Sequence, residues 1–195
     1  MHYLLIPHVA FVTAVLAAGG PHSRTVSDTV WVADTSHSSA EFDVLHMGIS
    51  HVRGTIPIIV AQATIPGGQT LPSSVEATLD ASRIDTHQAK RDADLRSDHW
   101  FDVSKYSTIK FVSSGITRTS DTAFTIAGNL TIHGVTKPVT LQATFGGRGA
   151  GTRGEPHVAY TAVTTIDRRD FGMTGGGPVV GTAITISLAI EAAAR

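Results

Sequence analysis

The feature that most constrains this chain is a two-residue rhythm repeated along most of its length. Strands place successive side chains on opposite faces, so a half-buried sheet alternates apolar and polar residues. In 40–46, Phe42 and Val44 alternate with Glu41 and Asp43. In 75–81, Val75, Ala77, Leu79 and Ala81 alternate with Glu76, Thr78 and Asp80. The same pattern runs through 124–132 (Phe124, Ile126, Gly128, Leu130, Ile132), 139–145 (Val139, Leu141, Ala143, Phe145) and 182–191 (Ile184, Ile186, Leu188, Ile190). Weaker runs cover 52–60, 109–113 and 158–166. Turn-forming residues separate the runs: Pro66-Gly67-Gly68, Gly115, Thr119-Ser120-Asp121, His133-Gly134, 146–154 and Gly175-Gly176-Gly177-Pro178.

Eight short strands with short connections suit antiparallel neighbours, closed as an up-and-down barrel or folded as a sandwich. The exception is 85–99, DTHQAKRDADLRSDH, which has no β-branched residue after Thr86. It reads as one short helix or two short turns, capped by Asp85 or Thr86 with Gln88 as a capping-box partner. Its charged residues, Lys90, Arg91, Asp92, Asp94, Arg96 and Asp98, read as a solvated face.

The first twenty residues, MHYLLIPHVAFVTAVLAAGG, stand apart. The apolar stretch from Val9 to Ala18 has the length of a signal-peptide core and is too short to span a bilayer. Ala17, Ala18, Gly19 and Gly20 offer a peptidase site, although the segment before the core has His2 and His8 in place of Lys or Arg. Residues 21–195 then form one domain. The expected location is periplasmic or secreted, and a chain with no Cys needs no disulfide chemistry there.

Composition narrows the function classes. Fifteen Lys and Arg against sixteen Asp and Glu leave a net charge of −1. That balance argues against a sequence-independent nucleic-acid binder, which needs a basic surface. The absence of Cys excludes a thiolate zinc site and a cysteine nucleophile. Gly149-Ala150-Gly151-Thr152-Arg153-Gly154 matches the spacing of a dinucleotide loop, but a strand-like run follows it where a helix is required, so it reads as a hairpin loop. His37, His46 and His51 lack close ligand spacing, so no metal is expected. His46 is in phase with Phe42 and Val44 and so points inward. His133 and Asp167 could serve as acid and base only if the fold joins them. Asp167-Arg168-Arg169-Asp170-Phe171-Gly172-Met173 reads either as a surface turn of weak ion pairs or as a polar rim with Phe171 and Met173 facing an apolar interior.

Several segments, in order, resemble the YceI family, the polyisoprenoid-binding, lipocalin-like proteins of bacterial periplasms. They are 31–38 (WVADTSHS), 42–46 (FDVLH), 52–54 (VRG), 84–86 (IDT), Arg91-Asp92 with Leu95, 100–102 (WFD), Tyr106, 109–111 (IKF), 128–139 (GNLTIHGVTKPV) and 167–173 (DRRDFGM). The run at 128–139 is the most specific of them. The sequence departs from the family at Thr55-Ile56-Pro57, where an aromatic is usual, and in the Gly- and Arg-rich stretch 146–154. A proline inside a strand also demotes it to an edge or a bulge.

The resemblance implies an all-β fold, an extended eight-stranded antiparallel lipocalin-like barrel with one short inserted helix. It also implies a long apolar cavity holding an isoprenoid lipid, such as a quinone tail or a polyprenyl chain, with no cofactor. The expected lining is Phe42, Val44, Ile56, Leu79, Phe101, Phe111, Leu130, Leu141, Phe171 and Met173. Small residues (Ala77, Ala81, Gly128, Ala143, Ala162) would leave space between the large ones. The head-group candidates are His46, Arg53, Arg91 and Arg169; Asp92 and Asp170 could instead neutralise the last two. No catalytic residue carries over. The alternative is an enzyme, an isomerase or hydrolase, using the same cavity with His46, His133 or Asp167 as acid or base. A third reading is a barrel whose core is filled and which binds nothing. The resemblance also suggests a homodimer, which edge strands would make easy, though no segment marks an interface.

Overall fold

The structure is a computed structural model, and it describes residues 27–195. The signal-peptide reading of 1–20 lies outside those residues. Ten strands follow one another as β1 (Thr29–Ala33), β2 (Ser39–His46), β3 (Ser50–Thr55), β4 (Ile58–Ile65), β5 (Ser74–Asp80), β6 (Thr108–Arg118), β7 (Ala123–Ile132), β8 (Val135–Ala150), β9 (Pro156–Asp167) and β10 (Val180–Ala194). One helix, α1 (Ala89–Leu95), interrupts them between β5 and β6.

The ten strands make eight arms of a closed barrel. β1 pairs with β4 on one side and with the end of β10 on the other, which closes the ring. β2 continues the line of β1 along the same edge of β10, and β3 pairs back onto β2. The segments 29–46 and 50–65 are therefore the two arms of one long hairpin, each broken in the middle. Pro57 breaks the second arm because it has no N–H to give a ladder. The turn at Asp34 breaks the first: its carboxylate accepts from the Ser36 N–H and hydroxyl, pulling the chain out of the strand path. Every strand pairing is antiparallel.

The eight alternating runs of the sequence fall one each on the eight arms, with four differences. β1 has too short an alternation to stand out beside its motif. Gly115 is not a turn but lies in β6 at a register shift between Ser113 and Gly115. Bulges of this kind sharpen the local bend that a closed sheet needs. The stretch 146–150 continues β8, again past a shift at Phe145/Gly147, and only 151–154 turns. Finally, α1 is capped by Gln88, whose side chain accepts from the Arg91 N–H at 2.7 Å. Asp85 is occupied elsewhere, trading backbone hydrogen bonds with Thr55 and accepting from the His87 N–H.

Connectivity sorts the loops into two ends. The β2–β3 and β7–β8 turns, the 81–107 segment with α1, and the 168–179 segment sit at one end, called here the upper end. The β4–β5, β6–β7 and β8–β9 turns sit at the lower end, with the outer ends of β1 and β10. A main core lines the barrel, and a smaller group of Trp31, Ile65, Val158 and Ala192 packs at the lower end.

Gly128 shows how the wall is shaped. A Cβ built there would lie 2.4 Å from the Phe111 ring of the neighbouring strand and 2.6 Å from the Val112 carbonyl. Only glycine lets the phenyl ring lie flat along the wall. Gly128→Ala should therefore destabilise the fold by about 1–3 kcal/mol through overpacking, read as a lowered Tm in thermal unfolding; an unchanged Tm would show that the ring has room to move.

Candidate functional site: an apolar cavity along the barrel

The inward-facing residues of the eight arms enclose a cavity of about 410 Å³. Its middle is walled by aliphatic and small side chains, among them Ala77, Leu130, Leu141, Ala143, Ala162 and Leu188. Small residues opposite large ones stop the interior from filling, as an eight-stranded barrel otherwise can. Ala81, by contrast, is buried in a 3-10 turn beyond β5 and takes no part in the wall.

The floor is aromatic. Tyr160 meets Phe124 edge-on at 5.9 Å between ring centroids and Phe145 at 5.4 Å. Its hydroxyl donates to the Thr70 carbonyl at 2.8 Å, and burial pushes its pKa up to about 12. Trp31 lies beside this group, with the Arg148 guanidinium 5.6 Å from its ring.

The roof comes from α1 and the two upper segments. Arg91, Asp94, Leu95, Trp100, Phe101, Arg168, Met173 and Val180 line this end. Arg91 donates from Nε to the Thr86 hydroxyl and from Nη2 to the Thr86 carbonyl, both at 2.8 Å. Thr86 passes its own hydroxyl and backbone hydrogens to Asp92. Asp92 is thus buried structure rather than part of a solvated face. The Thr86 hydroxyl holds its carboxyl below the usual carboxylate range, against the opposing effect of burial.

Arg168, not the expected Arg169, is the polar centre of the roof. It is buried and donates to the carbonyls of Gly181 (2.9 Å), Met173 (2.5 Å) and Val180 (3.1 Å). Its guanidinium sits 4.9 Å from the Trp100 ring, and the Trp100 indole N–H donates to Asp94 at 3.0 Å. Burial pulls the Arg168 pKa down from its ordinary value. The signal was present in the phase: counting inward positions along β9 from Val158 through Tyr160, Ala162, Thr164 and Ile166 arrives at residue 168, not 169.

Of the expected lining, Phe42, Val44, Ile56, Leu79, Phe101, Phe111, Leu130, Leu141 and Met173 face the cavity. Phe171 does not; it is almost fully buried in the core outside the lining. Among the head-group candidates, His46 and Arg91 face the cavity. Arg53 points outward from β3, one residue out of phase with the inward Val52, and pairs with Asp43 at 2.7 Å. Arg169 is also on the outer surface, and its partner is Asp167 rather than Asp170. That ion pair holds the Asp167 carboxyl well below the usual carboxylate range. His133 and Asp167 are not joined: the His133 ring bonds the Phe171 carbonyl at 3.2 Å. Among the described residues, no three His, Asp or Glu side chains gather as metal ligands, and no helix is long and apolar enough to cross a membrane.

The profile of the family described as YceI-like domain matches residues 31–192. The chain belongs to the YceI-like family. A UPF0312 protein of Pseudomonas savastanoi pv. phaseolicola is 31% identical over 183 residues, covering 94% of this chain and 92% of that one. A UPF0312 protein of Pseudomonas putida strain W619 is equally similar, covering 94% and 93%. Among solved structures, BcnA of Burkholderia cenocepacia superposes with a TM-score of 0.70 at 22% identity, covering 82% of this chain and 98% of that one. The Campylobacter jejuni YCEI protein gives 0.68 at 24% identity, covering 77% and 89%. A polyisoprenoid binding domain from Saccharophagus degradans, implicated in plant cell wall breakdown, gives 0.63 at 14% identity, covering 85% and 98%. These likenesses establish that the YceI-like barrel is the fold of this chain.

Two outcomes follow for the roof of this YceI-like barrel. Arg168→Ala leaves three carbonyls without their donor and should cost roughly 2–4 kcal/mol of stability in chemical denaturation; an unchanged midpoint would show that water replaces the guanidinium. Asp92 has a folded pKa below its unfolded value of about 3.9, so it stabilises the fold above that pH. The contribution disappears as pH falls through the lower, folded value. Stability measured against pH should therefore decline less steeply below about pH 4 in Asp92→Asn than in the native chain, and parallel curves would assign the acid sensitivity to other carboxylates.

Proposed function

We propose that the chain binds and carries or sequesters a long-chain isoprenoid lipid, a polyprenyl or quinone tail, within the barrel. The observation that carries this reading is the cavity itself: an apolar tube running from an aromatic floor to a roof with two inward cationic side chains, Arg91 and Arg168. Its 410 Å³ falls within the range of small-molecule sites. Burial contributes roughly 0.8 kcal/mol per CH₂-sized group, so several five-carbon units outweigh an association cost of about 4–15 kcal/mol. The tail supplies affinity, and polar groups need only select the head.

For that head, His46 and Arg91 are the candidates at the cavity's upper end. Arg91 suits a phosphate or carbonyl oxygen because its planar fork offers several donors. Family membership supports the reading, and the polyisoprenoid binding domain from Saccharophagus degradans shares the fold. The signal-like segment at 1–20 supports a periplasmic setting, in which a protein enclosing the chain would hold it out of water. The outer edge of β3, which pairs with a single residue at Asp85, is where a second copy could add to the sheet.

Organic extraction of the purified protein followed by mass spectrometry tests the proposal. A co-purifying polyprenyl or quinone species is the expected result; a stable, folded protein that yields no lipid and takes none up from detergent would overturn it. Filling the tube gives a second check. Ala77→Phe with Ala162→Phe should abolish lipid recovery while leaving Tm at least as high as that of the delipidated native protein, because the added rings occupy empty space.

A further inference from the structure

The β2–β3 turn carries a feature that the cavity does not use. The Ile49 N–H donates to the His46 carbonyl at 3.1 Å, closing the tight turn His46-Met47-Gly48-Ile49. Met47 has φ +54° and Gly48 has φ +72°. Two successive positive φ values define the hairpin turn whose first central position favours Asn, Asp or Gly. A methionine there bears the left-handed strain of a Cβ and offers no local hydrogen bond in return. Nor does its side chain fold onto the core: Met47 is 60% exposed.

Its neighbours are of the same kind. Ile49 is 83% exposed, Leu45 39% and Val179 45%. Val179 belongs to the same tip, since the Met47 N–H donates to its carbonyl at 2.6 Å. Four apolar side chains therefore project at one place on the upper end. The backbone does not demand them. The second turn of this type at that end, His133-Gly134, has φ +50° and +73° and uses a polar residue packed edge-on against Tyr106.

Position completes the case. From 45 to 53 the chain has no carboxylate and carries His46, His51 and Arg53. The acid that reaches them is Asp43, at the base of the tip, paired with His51 and Arg53. His46, between Leu45 and Met47, and Val180, next to Val179, line the cavity. The tip is thus the outer lip of the cavity's upper end.

We infer that this lip docks on a lipid bilayer, with Met47 and Ile49 entering its interfacial layer. The purpose rests on the lipid-binding reading above: a hydrocarbon passing directly between membrane and cavity avoids exposing each of its methylenes to water. The docking itself rests only on the tip. Four side chains on a convex turn bury far less than the roughly 1,200 Å² of a stable protein interface, which disfavours a second copy as the occupant. A bilayer accepts such a wedge.

Sedimentation of the protein with vesicles of phosphatidylethanolamine and phosphatidylglycerol, and with vesicles of phosphatidylcholine alone, tests the docking. The native chain should bind both. Met47→Asn with Ile49→Ser keeps the turn, because Asn suits its first position, so Tm should not fall; the bound fraction should drop about tenfold. Lipid recovered from the detergent-loaded protein should be the same for both. Vesicle binding lost with the tip supports docking even if extraction finds no cargo. The inference is overturned by native protein that binds neither vesicle, by a variant that binds like the native chain, or by light scattering in which the substitutions turn a dimer into a monomer.

Discussion

Closing the sheet is the constraint on which the other features depend. A strand left at an edge exposes a row of unpaired backbone groups, and β1 prevents this by using both of its edges within five residues. It can do so only because β10 is long enough to serve β2 along most of its length and β1 at its end. Once the ring closes, the inward phase of every arm faces the same space. The content of that space then follows from side-chain size alone, and Ala77, Ala143 and Ala162 keep it open.

Closure is complete at the lower end and partial at the upper. There β3, cut off from β4 at Pro57, pairs with β2 along one edge, while its other edge meets only the Thr55–Asp85 bridge. The gap is covered by the 81–107 segment, whose backbone lacks a ladder and must find other partners. Thr86, Asp92 and Arg91 supply them in a chain of short hydrogen bonds, and Arg168 does the same for 173–181. The polar side chains of the roof are thus held mainly by the backbone they support. The same break that opens the sheet creates the place where polar groups meet an apolar cavity.

This division explains what the sequence made legible. Strand periodicity is a local property, so the eight arms and nine of the ten expected lining residues could be read from alternation and family likeness. Phe171 could not, because it follows the last inward position of β9 in a 3-10 turn, where period two no longer applies. Arg53 and Arg169 were drawn to the cavity by charge, although their phase with Val52 and Ile166 places both outside. Asp92 was hidden for a different reason. Its partner Thr86 is six residues away across a turn, and no periodicity reports such a contact. The break at Pro57 was readable because proline's missing N–H acts within the residue itself.

The two left-handed turns at the upper end separate what a backbone requires from what a surface is asked to do. Both place a non-glycine residue at positive φ ahead of a glycine, His133 in one and Met47 in the other. At His133 the side chain is drawn inward, hydrogen-bonded to the Phe171 carbonyl and set edge-on against Tyr106, so the turn is tied to the roof. At Met47 the backbone bonds to Val179 while the side chain faces outward. Stability alone would favour Asn at that position, and solubility would favour a polar group. A methionine that serves neither, at the lip of an apolar cavity, is accounted for when the medium it faces is itself apolar.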